Sequence, residues 1–267
     1  MNNTVIACLE ASFAARSVCD YAAWAASTLG APLALLHMLA DVDRPDAVIG
    51  ETLLAAQLGE IEAERRRLRM AQGQALLAEC AARLKPSGYE KAQRLQKQGS
   101  PAEILQELTE ARLLVLGDDG ARHPVGSPLE SLIRLHRGAV LAVPETFTAP
   151  SRALFAYDAS IECRKHLTRL AASPLLYGME CHIVMVNGNA TALQDAFEAL
   201  HKAGIRAQAF MLEGTSVTDS LCRHAQAHHI DLIVMGAWGH SPRRRYFIGR
   251  HAAEMLFRRG LPLLLLR

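Results

Sequence analysis

The chain holds 267 residues, half of them apolar and 21% charged, which excludes a disordered chain and supplies enough length for two cores. Its formal net charge of +2 is too small to imply a nucleic-acid partner, and no apolar stretch approaches the roughly 20 residues that a membrane span needs. Six cysteines (Cys8, Cys19, Cys80, Cys163, Cys181 and Cys222) stand far apart in sequence, which argues against a disulfide framework or a zinc ribbon. No basic flank, long apolar segment or cleavage site follows Met1-Asn2-Asn3, so a cytoplasmic location is expected. The charge is uneven. Residues 1–150 carry 15 Lys/Arg against 18 Asp/Glu, whereas residues 151–267 carry 14 against 9, with eight of the eleven histidines. An anionic ligand therefore favours the second half.

The first apolar run, from Val5, ends in Glu10-Ala11-Ser12 and leads into an Ala-rich helix from Ala14 to Leu29. Leu33 to Leu39 reads as a second strand. Ala47 to Leu84, rich in Ala, Leu, Glu and Arg with apolar residues at helical spacing, predicts a helical insertion. Gly99-Ser100-Pro101 marks a helix start, with Pro101 suited to the first turn, and that helix feeds a buried strand, Leu113 to Gly117. Val140 to Val143 closes the half as a last strand, and Pro144 to Pro150 is the expected linker.

The pattern is then written again. Ala153 to Tyr157 runs into Asp158-Ala159-Ser160 and a helix to about Ala172, with the Ser suited to cap it. His182 to Val186 is the second apolar run, a short helix follows around Ala190 to Ala203, and Gly214-Thr215-Ser216 opens another. Leu232 to Gly236 matches Leu113 to Gly117, and Gly260 with Leu263 to Leu266 matches Gly138 with Val140 to Val143. The halves are offset by 148 residues at Glu10/Asp158 but by 115 at Gly99/Gly214, so the extra length of the first falls on the 47–84 segment. Short apolar strands alternating with helices mean parallel sheets covered on both faces. The expected fold is α/β, two doubly wound, Rossmann-like domains in tandem over residues 1–147 and 151–267. Ligands of such sheets bind beyond the carboxyl ends of the strands, which places Glu10, Gly117, Asp158 and Gly236 at candidate sites.

After its fourth strand the second half reads Gly236-Ala237-Trp238-Gly239, then nine residues, then Gly249-Arg250 at a helix start. Gly236 and Gly239 let the backbone turn and approach a ligand, and Gly249 leaves helix N–H groups open to phosphate. Between them lie His240, Arg243, Arg244 and Arg245, with Arg250 and His251 just beyond, a cluster suited to polyphosphate. Asp158 is placed to accept from ribose hydroxyls or an adenine edge. On these residues the sequence resembles the universal stress protein family, in which the fourth strand ends with Gly, two residues, Gly, nine residues, then Gly and Ser or Thr. Asp158, Gly236, Gly239 and Gly249 match that pattern, and Arg250 stands where a hydroxyl is expected. The resemblance covers nearly the whole chain as two copies, and implies a fold of the adenine-nucleotide hydrolase-like type.

It further implies a nucleotide site at Asp158, Val186, Met235, Gly236, Gly239, Gly249 and Arg250, with Arg243, Arg244 and Arg245 as phosphate contacts. The cofactor implied is ATP or another adenine nucleotide, with or without magnesium, in a stress-response protein whose role is regulatory. No catalytic residues are assigned, and at most very slow hydrolysis is expected. The implied partners are the nucleotide and the chain itself, the halves pairing through their last strands; a homodimer of such chains stays open, and neither nucleic acid nor membrane is expected. The first half departs from the pattern. Gly117-Asp118-Asp119-Gly120 is followed by only five residues before Gly126-Ser127, and the two carboxylates stand where phosphates would sit, so this half is expected to bind no nucleotide.

The alternative function is a nucleotide-free scaffold with both loops degenerate and the 47–84 insertion as its working surface. Its charged stretch from Glu60 to Arg69 reads equally as an ordinary solvated helix. His224 and His228, four apart on a helix with His229 beside them, share a face as metal ligands would. With no third ligand identifiable nearby, a solvated surface and no metal site are expected. The cysteines are expected to pack in the core, and Trp238 to pack on its neighbours or stack on a base.

Overall fold

The computed structural model describes residues 3–10, 14–39, 53–108, 111–117, 128–237, 248–258 and 260–267. Ten strands form one sheet in the order β3-β2-β1-β4-β5-β10-β9-β6-β7-β8. The first half contributes β1 (Thr4–Leu9), β2 (Leu33–Leu39), β3 (Gln93–Gln98), β4 (Ala111–Gly117) and β5 (Ala139–Val143); the second contributes β6 (Arg152–Ala156), β7 (Glu180–Val186), β8 (Arg206–Leu212), β9 (Leu232–Gly236) and β10 (Leu263–Leu266). Within each half every pairing is parallel and the order is third, second, first, fourth, fifth, the doubly wound arrangement. The halves meet through β5 and β10, which pair antiparallel with Leu141 opposite Leu264.

Eight helices cover the described sheet: α1 (Ala15–Leu29), α2 (Leu53–Leu84), α3 (Pro101–Glu107), α4 (Pro128–Leu135), α5 (Ile161–Ala171), α6 (Ala190–Lys202), α7 (Val217–Ala227) and α8 (Arg250–Phe257). One core holds Tyr21, Leu35, Phe155 and Ile183 under α1, α2, α5 and α6; the other holds Ile6, Leu114, Leu154 and Val184 under α3, α4, α7 and α8. The alternation of β1, with Val5 and Ala7 in one core and Ile6 and Cys8 in the other, shows why the strands read as unbroken apolar runs. Four helix starts carry side-chain caps, Ser100, Ser160, Asn189 and Ser216, and Ser100 with Glu103 completes a capping box.

The insertion is α2, and its second half is anchored from Met70 on, whose carbonyl accepts the Gln96 side-chain amide at 2.9 Å. Leu77, Cys80 and Leu84 are buried, Arg83 makes a forked pair with Asp20 at 2.9 and 2.7 Å, and Leu58, Ile61, Leu68 and Met70 are exposed. Residues 47–52 lie outside the described residues. Cys19 and Cys80, though distant in sequence, lie beside each other where α1 packs on α2, and five of the six cysteines are buried. The segment between β5 and β6 is stapled to α1. Phe147 meets Tyr21 edge-on at 4.7 Å, the Thr148 N–H donates to the Tyr21 hydroxyl at 3.3 Å, and the Ser17 hydroxyl donates to the Pro144 carbonyl.

Candidate functional site

Three strand ends and three helix starts, those of α5, α7 and α8, build a cleft of about 360 Å³ at the carboxyl edge of the second half, where the chain order reverses between β6 and β9. After β6, Ala159 takes a left-handed conformation (φ 58°), which a non-glycine residue enters at a cost. That turn lets the Asp158 carboxylate accept the Ser160 N–H at 2.9 Å, while the Ser160 hydroxyl accepts the Cys163 N–H at 3.1 Å and starts α5. After β7, Asn187 is also left-handed (φ 52°), and its amide pairs with both backbone groups of Gly214, at 2.6 and 3.1 Å. Gly188 follows because a Cβ there would come within 1.9 Å of the Met185 sulfur.

The third wall is the end of β9. The Ala237 N–H donates to the Leu266 carbonyl and its own carbonyl accepts the Gly249 N–H, both at 2.8 Å, so the residues flanking 238–247 are drawn together. Gly249 starts α8 without a side-chain cap, unlike α3, α5, α6 and α7. The N-cap residue thus offers the first N–H groups of α8 no side-chain acceptor, and Gly249, Arg250, His251 and Ala252 line the cleft.

Six of the residues singled out in the sequence therefore share one cleft: Asp158, Val186, Met235, Gly236, Gly249 and Arg250. Gly239, Arg243, Arg244 and Arg245, like Trp238 and His240, lie outside the described residues, as do Asp118, Asp119, Gly120, Gly126 and Ser127 of the first half. Arg250 lines the cleft and is paired within its own helix. Its guanidinium donates to Glu254, one helical turn on, at 2.7 Å, and the same carboxylate accepts the buried Thr218 hydroxyl at 2.6 Å. Those two bonds hold Glu254 below the usual carboxylate range. Cys163 also lines the cleft, but burial pushes its thiol up to about 12, so it is no thiolate nucleophile at neutral pH.

A second group of titratable side chains lies toward the amino end of β7. His224 is not on a solvated surface: it is 5% exposed, because β7 supplies the buried His182, whose Nδ1 lies 2.9 Å from its Nε2. His228 joins them with its ring stacked on His224 at 4.2 Å. The sequence hid the third histidine because it sits in a strand, far from the helical pair.

The comparisons agree with this architecture. The model of the universal stress protein family matches residues 1–144 and 187–267, which leaves Asp158 outside the matched segments. Universal stress protein Slr1230 of Synechocystis sp. is 30% identical, across 98% of this chain and 99% of its own length. A universal stress protein structure from Archaeoglobus fulgidus DSM 4304 superposes with a TM-score of 0.74 at 16% identity, covering 99% of this chain and 96% of that one. The cytoplasmic domain of a prokaryotic cation chloride cotransporter shares the fold at a TM-score of 0.52 and 11% identity, over 99% of this chain and 94% of its own. With the family match spanning most of its length and a curated relative along nearly all of it, the chain belongs to the universal stress protein family.

Proposed function

We propose that this protein binds an adenine nucleotide, ATP in the first place, in the cleft of its second half, and that binding regulates rather than feeds a reaction. Family membership supports a stress-response role. The observation that carries the nucleotide reading is the convergence of Asp158, Gly236 and the uncapped start of α8 on one cleft at the chain-order reversal. The α8 N–H groups and the excess positive charge of this half suit a phosphate chain, and a carboxylate such as that of Asp158 is an acceptor suited to hydroxyl donors. Bound nucleotide would stabilise the folded state by mass action and set the state that a partner reads.

Arg250 enters this reading only if it leaves Glu254 when nucleotide arrives. The exchange is permitted, since an exposed ion pair of this kind holds its partners weakly. Titration calorimetry with ATP and AMP, on the parent and on Asp158→Ala, tests the assignment. ATP binding by the parent that is lost in a normally folded Asp158→Ala supports it; equal binding by both removes Asp158 from the site. A second reading, a scaffold that takes no nucleotide, is favoured by the exposed Leu58, Ile61 and Leu68 on the first half of α2. Failure of the parent to bind ATP at all would move the function there.

A further inference from the structure

We propose that His182, His224 and His228 form a binding site for a divalent transition metal of the zinc class, distinct from the nucleotide cleft. One ring nitrogen from each histidine lies within 4.8 Å of the other two. Nitrogen ligands around a tetrahedral zinc, bound at about 2.0–2.1 Å, sit roughly 3.4 Å apart, so modest side-chain rotation closes the set. His228 is exposed at the end of α7, whereas His182 and His224 are 3% and 5% exposed.

The support around the buried ligand is what a metal site requires. His182 Nε2 lies 3.4 Å from the Glu180 carboxylate, which directs the Nε2 proton toward Glu180 and leaves the Nδ1 lone pair facing His224. This is the carboxylate–histidine arrangement that fixes a ligand's tautomer and raises its basicity. Glu180 is itself held, accepting from Gln208 at 2.6 Å and pairing with Arg152 at 3.4 Å. Phe210 of β8 stacks on the His182 ring at 4.6 Å and blocks its rotation. Among the described residues no carboxylate joins the three nitrogens, so the donor set is three imidazoles, which suits zinc, cobalt, nickel or copper over magnesium or calcium.

Three protein ligands leave a fourth position, which the exposure of His228 opens to solvent. A metal there ties the end of α7 to β7. It lies near the first residues of β7, whereas the cleft is built from the last, so the two ligands occupy opposite edges of the same half.

The test uses untagged full-length protein, stripped with chelator and titrated with zinc chloride by calorimetry and with cobalt chloride by visible absorption. Expected are one zinc per chain, the d–d bands of tetrahedral cobalt, and a rise in Tm with zinc. His228→Ala, a change at an exposed position, should fold normally and lose equimolar binding. Glu180→Gln should weaken zinc by about 10–100-fold, and His201→Ala, at an exposed histidine of α6, should bind like the parent. A parent that takes up no zinc, or a His228→Ala protein that binds as the parent does, overturns the proposal. Neither titration contains nucleotide, so failure here leaves the ATP reading untouched.

Discussion

Leu264 of β10 lies directly opposite Leu141 of β5, and each is 1% exposed. This antiparallel pair is the seam of the ten-stranded sheet. Apart from one another, β5 and β10 would each present an apolar, unpaired edge, the kind of strand that invites aggregation. Leu264→Ala is expected to cost about 2–5 kcal/mol, since the cavity opens where both halves pack and cannot collapse from either side. Urea denaturation measures it, and a loss below about 1 kcal/mol would show that the seam contributes little.

Gly117 at the end of β4 is a packing residue before it is a loop residue. A Cβ there would lie 2.7 Å from the Ala14 Cβ and 3.3 Å from Val18, at the start of α1. Gly117→Ala should therefore push α1 off the sheet and destabilise the protein by about 1–3 kcal/mol. Thermal unfolding reads the change, and an unaltered Tm would mean that α1 tolerates the shift.

Arg250 separates stability from binding. Its side chain is 85% exposed and its bond to Glu254 is an i, i+4 surface pair, so Arg250→Ala should change stability by less than about 0.5 kcal/mol. If the guanidinium turns to phosphate on binding, the same variant binds ATP more weakly and with a shallower salt dependence. ATP affinity measured across a salt series on both proteins decides this, and unchanged affinity would leave Arg250 as a surface residue.

His136, which follows α4, is 3% exposed, its Nε2 has no hydrogen-bond partner among the described residues, and the Arg267 guanidinium donates to its carbonyl. Burial foremost, and the Arg267 charge second, lower its pKa to about 4. The unfolded chain therefore takes up this proton first. The stabilisation is complete above about pH 6.5 and is lost as the pH falls toward 4, by on the order of 3 kcal/mol at most. Denaturation curves at pH 7 and 4.5 should show a smaller acid loss in His136→Asn than in the parent; equal losses would clear His136 of the effect.

What the sequence disclosed, and what it hid, follows from burial. The eight interior strands, between β3 and β8, are largely buried, so each reads as an apolar run whose limits are visible directly. The outermost strands do not. Gln93–Gln98 and Arg206–Leu212 are largely exposed or half-buried, and their polar residues leave no continuous apolar signal. Helix starts were legible through Ser100, Ser160 and Ser216, because capping is local chemistry. Long-range pairings were not: Cys19 with Cys80, and His182 with His224, are brought together only by the way helices lie on the sheet. The Arg250–Glu254 pair is legible from its i, i+4 spacing alone.

The most direct measurement is to denature freshly purified protein and identify any nucleotide released, alongside a Tm titration with ATP. The expected result is ATP at close to one per chain from the parent, with Asp158→Ala purifying empty at an unchanged far-ultraviolet spectrum. A parent that emerges empty, and whose Tm does not move in millimolar ATP, would contradict nucleotide binding in the second half.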